Sequence, residues 1–120
     1  MAKPYLEILS QMIEGLEPRK IRGVTIEYKH FFSGAALYAN GKICASLSPA
    51  GFALKLSEDQ RQGLISAGKG EEFRFFPNGP IKRDYVTLSE SVTQDKKVLH
   101  ELVDESFRYV VHLPNFDRDR

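Results

Sequence analysis

Residues 24–56 read VTIEYKHFFSGAALYANGKICASLSPAGFALKL, and this stretch decides the fold. Val24, Ile26 and Tyr28 alternate with Thr25, Glu27 and Lys29. A period of two marks a half-buried strand. Phe31-Phe32-Ser33-Gly34 carries that strand into a turn or bulge, and residues 35–39 form a second short strand. Asn40-Gly41 follows, the pair best suited to a type I′ hairpin turn because both residues tolerate positive φ. Residues 42–47 return, Pro49-Ala50-Gly51 turns again, and Phe52, Leu54 and Leu56 alternate as a fourth strand. Connections this short join only antiparallel neighbours, since a parallel pair needs a crossover of about a dozen residues. The stretch therefore predicts an antiparallel meander of four strands.

Helical patterns flank it. Tyr5, Leu6, Ile8, Leu9, Met12, Ile13 and Leu16 recur at spacings of three and four, with Pro4 before them and Gly15 and Pro18 behind. After the meander, Ser57-Glu58-Asp59-Gln60 matches a capping box, which predicts a helix to about Ser66 ending at Gly68. Residues 69–72 read as loop. Phe73, Phe75 and Phe76 mark a short extended piece closed by Pro77-Asn78-Gly79-Pro80, and residues 84–88 a last strand. Val98, Leu99, Leu102, Val103, Phe107, Val110 and Val111 form the apolar stripe of a final helix stopped by Pro114. The expected fold is α+β: two layers, an antiparallel sheet with flanking helices, in the order α-β-β-β-β-α-β-α. Residues 1–113 are read as one domain and residues 114–120 as a polar tail.

The chain has 120 residues, with 17 Lys plus Arg against 16 Asp plus Glu, a formal net charge of +1. So balanced a charge excludes a protein that holds phosphate by its field alone. One cysteine, Cys44, excludes an internal disulfide and a multi-cysteine zinc site. The N-terminus lacks the apolar run of a signal peptide, and no run approaches the roughly 20 apolar residues of a membrane helix, so a cytoplasmic protein without membrane contact is expected.

Motifs for chemistry are weak. The histidines, His30, His100 and His112, show no metal-ligand spacing; His100 and Asp104 share a helix face and read as solvent-facing polar residues. Cys44 and His30 are conceivable as a nucleophile and its base, but Cys44 lies between Ile43 and Ala45 in a strand, where a free cysteine behaves as a small buried hydrophobe. Gly68-Lys69-Gly70 is too short for a phosphate loop and follows a helix. The acidic pairs Glu58-Asp59, Glu71-Glu72 and Asp104-Glu105 fit a helix start, a loop and a polar helix face. Phe73, Arg74, Phe75 and Phe76 interleave aromatics with a cation, as a single-strand stacking surface would, but a core-facing phenylalanine strand explains them better. The basic clusters are Arg19-Lys20-Arg22 and Lys82-Arg83, the latter near Tyr85. No catalytic residue, cofactor or metal is expected.

Residues 24–109 resemble the TfoX N-terminal domain family. The resemblance rests on Lys29, Phe31 or Phe32 and Gly34; on Leu37, Tyr38, Asn40, Gly41 and Lys42; on Ala53, Leu54, Lys55 and Leu56; and on Gly68, Phe73, Asn78-Gly79, Tyr85 and Asp95. The family's paired glycines become Ser33-Gly34, its Asp-Gly turn becomes Asn40-Gly41, and its Tyr-Tyr segment becomes Lys82-Arg83-Asp84-Tyr85. These are turn and packing signatures. The resemblance implies a two-layer α+β domain like the type III secretion chaperones. It also implies a bacterial, non-enzymatic protein-interaction module, whose named relatives act as competence regulators alongside the cyclic-AMP receptor protein and carry a second, helical domain that is not expected here. A protein partner of the transcription-regulator class follows from it. The expected surface comprises Lys29, His30, Phe32, Ser33, Gly34, Arg74, Lys82, Arg83 and Tyr85. Direct nucleic-acid binding through Arg74, Lys82, Arg83 and Tyr85 is the alternative, and a small enzyme or ligand-binding domain using His30 and Cys44 a third. An uncovered sheet face or edge would also suit a homodimer.

Overall fold

The computed structural model of the chain describes residues 5–14, 25–31, 34–74 and 78–113. Helix α1 (Tyr5–Ile13) precedes four strands, β1 (Ile26–Phe31), β2 (Gly34–Ala39), β3 (Lys42–Ser48) and β4 (Gly51–Lys55). Helix α2 (Glu58–Ser66), strands β5 (Gly70–Phe73) and β6 (Lys82–Leu88), and helices α3 (Glu90–Thr93) and α4 (Lys96–Val111) complete the order. The six strands form one antiparallel sheet in the order β1-β2-β3-β4-β6-β5. The expected meander and α+β class are present.

Local chemistry accounts for the boundaries. Asn40 and Gly41 sit at φ 52° and 80°, the positive values of the hairpin that their sequence predicts. Asn40 also latches the start of β1: its N–H donates to the Thr25 carbonyl at 2.8 Å, and its Oδ1 accepts from the Thr25 N–H at 2.7 Å. Both halves of the Ser57–Gln60 capping box are formed, and Gly68 at φ 75° follows α2 as expected. Asp95 caps α4 through the Val98 N–H.

Three expectations need correction. Residues 70–72, expected as loop, belong to a strand that runs on to Phe73, itself expected as extended; Glu71 and Glu72 are tolerated because β5 is an edge strand with both carboxylates exposed. Residues 90–93 form a separate helical turn ahead of α4. Ile8 is 38% exposed, because α1 presents only its Leu9–Ile13 stripe to the sheet. The expected readings of residues 15–24, 32–33, 75–77 and 114–120 lie outside the described residues.

The core lies between one sheet face and the helices. Leu37, Ala45, Leu54 and Val86 are paired across adjacent strands and are buried with Leu9, Leu99, Val103, Phe107 and Val110 of α1 and α4. A bulge in β3 fits Cys44 into this layer: Leu37 pairs with Ala45 but Tyr38 with Ile43, leaving Cys44 between them. The same bulge turns Lys42 to the helix side. Its ammonium donates to the carbonyls of Val111 and Leu113, two orphan acceptors at the end of α4.

Candidate functional site

The second sheet face carries none of the described helices. Strand register places one row of residues straight across it: Lys29, Ala36, Ser46, Ala53, Thr87 and Glu71. Ala36, Ser46 and Ala53 make a strip of small side chains along its middle, each at most 1% exposed. The Ser46 hydroxyl is buried and has no hydrogen-bond partner among the described residues.

Two lysine–tyrosine pairs frame the strip. On the β1 side, the Lys29 ammonium lies 4.9 Å from the centre of the Tyr38 ring; on the β6 side, the Lys55 ammonium lies 5.9 Å from that of Tyr85. Both distances are within cation–π reach. Tyr85 also leans on Phe73, with ring centres 5.7 Å apart and planes tilted by 51°. Phe73 is itself buried, so its ring supports Tyr85 from below.

The sequence-predicted surface residues do not fall in one place. Lys29 and His30 are adjacent on β1 and therefore point to opposite faces. Lys29 joins the helix-free face; His30 joins a groove of about 380 Å³ between α1 and β1, lined also by Leu6, Glu7, Ser10 and Tyr28. Lys82 and Arg83 are exposed at the start of β6, four strand spacings from β1, or roughly 19 Å. Arg74 is exposed and braces the β5–β6 connection by donating to the Gly79 carbonyl at 2.6 Å. Gly34 is buried, and a Cβ there would come within 2.1 Å of the Leu47 carbonyl oxygen, so its place is set by packing. Phe32 and Ser33 lie outside the described residues.

Tyr38 and Lys55 complete the two pairs and are absent from the surface expected from sequence. Their alternation within β2 and β4 carries the signal for an outward side chain. Their juxtaposition with Lys29 and Tyr85 depends on register across four strands.

The groups considered for catalysis take structural roles. Cys44 is fully buried, donates its S–H to the Leu37 carbonyl at 3.3 Å, and is held as a neutral thiol because burial pushes its pKa far up. It sits on β3, whereas His30 is on β1 with β2 between them. Burial, and then the neighbouring Cys44 thiol, pushes the Tyr28 phenol up as well. His100 is half-buried, and its Nε2 bonds the Met12 carbonyl at 2.9 Å, tying α4 to α1; it does not face solvent as its helical position suggests. Asp104 pairs with Arg108 at 3.1 Å, one turn along α4. A shallow depression of about 540 Å³ between α2 and α4 is lined by Ser57, Gln60, Glu105, Arg108, Tyr109 and His112. Gln60 and Glu105 bond each other there at 2.7 Å. No cluster of three or more metal-ligating side chains occurs among the described residues.

The model of the TfoX N-terminal domain matches residues 22–109, which include all six strands, α2, α3 and most of α4. The chain belongs to the TfoX N-terminal domain family. A search of the curated proteins found no match. Within the TfoX N-terminal domain, residues inside the matched range have visible work: Asn40-Gly41 turns the β2–β3 hairpin, Lys42 caps α4, and Leu54 and Leu56 fill the core. Lys29, Tyr38, Lys55 and Tyr85, which frame the helix-free face, also lie inside the matched region. No described helix is long and apolar enough to cross a membrane.

Proposed function

We propose that this TfoX N-terminal domain is a non-enzymatic protein-interaction module that receives a protein partner on its helix-free sheet face. The observation that carries the reading is the two lysine–tyrosine pairs, Lys29–Tyr38 and Lys55–Tyr85, which keep accessible surface on either side of the buried strip Ala36, Ser46 and Ala53. A cation laid on an aromatic ring offers both apolar contact and a charged donor. Tyrosine is among the residues enriched where partners make their strongest contacts. The partner class that membership of this family favours is a bacterial transcription regulator, and the cytoplasm is the compartment where the two would meet.

Affinity capture at native salt, with the wild-type chain and the Lys55→Glu variant as parallel baits, tests the proposal. The expected result is a protein held by the wild type and lost by the variant. A protein held equally by both, or no captured protein together with detectable turnover of a small molecule, overturns it.

Direct nucleic-acid binding is the second reading, favoured by the exposed Lys82 and Arg83 beside Tyr85. It calls for binding that weakens steeply with salt and disappears in the Lys82→Ala/Arg83→Ala double variant. Against it stands Phe73, whose buried ring is closed to an incoming base.

A further inference from the structure

Among the described residues, two strands of the sheet have a single neighbour, β1 and β5. An edge strand offers its outer N–H and C=O groups to any chain that can lie beside it. In β1 the direction of those groups follows from Thr25, whose carbonyl accepts from the Asn40 N–H. Inward and outward groups alternate along an antiparallel ladder. Glu27, Lys29 and Phe31 therefore bond β2, while Ile26, Tyr28 and His30 turn their backbone groups outward. None of these three makes a backbone bond on the outer side to any described residue.

We propose that β1 is a self-pairing edge, joining two copies of this chain antiparallel about a two-fold axis at Tyr28. The occupant is chosen by charge and register. Four symmetric registers place outward groups opposite outward groups over three or more residues of β1, centred on Glu27, Tyr28, Lys29 or His30. The His30 register pairs only residues 29–31 and sets Lys29 opposite Phe31, with no ion pair. The Glu27 register sets glutamate opposite glutamate, and the Lys29 register sets lysine opposite lysine. Like charges directly opposite destabilise a strand pair. The Tyr28 register instead places Glu27 of each copy opposite Lys29 of the other, twice over. Both pairs fall at non-hydrogen-bonded positions, where opposite side chains come closest. Tyr28 then exchanges backbone bonds with its counterpart, and Ile26 with His30.

The flanks of the strand agree with this register. Glu27 and Lys29 are exposed on the helix-free face. On the helix side, the groove between α1 and β1 has Leu6 and Tyr28 in its walls. Pairing about Tyr28 brings the two grooves together across the axis and covers this apolar surface from both sides. The other edge cannot do the same. In β5, Glu71 and Glu72 are consecutive and exposed, so a symmetric pairing centred on either sets like charges opposite. The fold thus has one edge closed to self-association by repulsion and one whose charges select a single register. A dimer formed this way draws on Glu27 and Lys29 at the β1 margin of the helix-free face and leaves Tyr38, Lys55 and Tyr85 to a partner, and it stands whether or not that face receives one.

Sedimentation velocity of the full chain, from low to high micromolar concentration, tests the pairing. A reversible monomer–dimer equilibrium is expected for the wild type. Glu27→Lys and Lys29→Glu alone should each weaken the dimer by about tenfold or more, since each turns two attractive contacts repulsive. Mixing the two variants should restore dimer to about the wild-type level, because the lysines of one then face the glutamates of the other. Circular dichroism of each variant reports whether the monomer remains folded. A wild type that stays monomeric throughout overturns the proposal. So does a dimer indifferent to the single reversals, or a mixture no more associated than its components.

Discussion

The hydroxyl of Ser106, on the buried face of α4, donates to the Lys55 carbonyl oxygen at 2.7 Å and lies 3.2 Å from that of Cys44. One side chain thus ties the longest helix to two neighbouring strands where the sheet turns toward α2. Removing it leaves buried carbonyls short of a donor. Ser106→Ala should lower stability by about 1–2 kcal/mol, read as a fall of several degrees in Tm.

Ser46 is the opposite case. It is as buried as Ser106, but its hydroxyl has no partner among the described residues. A desolvated hydroxyl without a bond costs stability, so Ser46→Ala should leave the melting temperature unchanged or raise it, by up to about 1 kcal/mol of stability. The two serine variants, melted side by side, should move in different directions.

Gly34 opens β2 where three strands crowd together. A Cβ built there meets the Leu47 carbonyl oxygen at 2.1 Å, Cε1 of Phe31 at 2.8 Å and Cα of Ser48 at 3.0 Å. Two of the three are backbone atoms, which cannot swing away. Gly34→Ala should cost about 3 kcal/mol, visible in urea denaturation as a lower midpoint. Gly63, with open space around its Cβ position, is the control: Gly63→Ala, within α2, should stabilise by about 0.5–1 kcal/mol.

Cys44 predicts an alkaline limit. Its thiol is held neutral in the folded chain, whereas in the unfolded chain it ionises near its ordinary value of about 8.5. A group whose pKa is raised on folding contributes stability that is full below the unfolded value and is lost as pH climbs above it. Between pH 7 and pH 10 the wild type should lose about 2 kcal/mol more than Cys44→Ala does, measured by denaturant unfolding at each pH. The native thiol should also resist iodoacetamide at pH 8 and react once unfolded.

Much of the fold was legible because its signals are local. The Asn40-Gly41 turn, the alternation in β1 and β4, the Ser57 capping box and the α4 stripe each concern residues near one another in the chain. Strand β5 was hidden, because Glu71 and Glu72 break the expected pattern and are tolerated only at an edge. The entry of β6 between β4 and β5 was hidden too, since backbone pairing between distant segments leaves no mark in the composition of either. Of the surface residues expected, Lys29 and Tyr85 stand on the helix-free face, and His30 turns to the other side because side chains alternate along a strand.

The sequence alone determined the α+β class, the antiparallel meander, the helix caps and the family, all of which follow from short-range periodicity and turn chemistry. Tertiary structure decided which residues share a face. The bulge at Cys44 changes the register between β2 and β3 and sends Lys42 to the end of α4, while the unbroken β1–β2 register sets Tyr38 beside Lys29 on the helix-free side. One extra residue in a strand reverses the facing of everything beyond it. The Lys–Tyr frame and the charge pattern of the β1 edge therefore emerge only once all strands are in register.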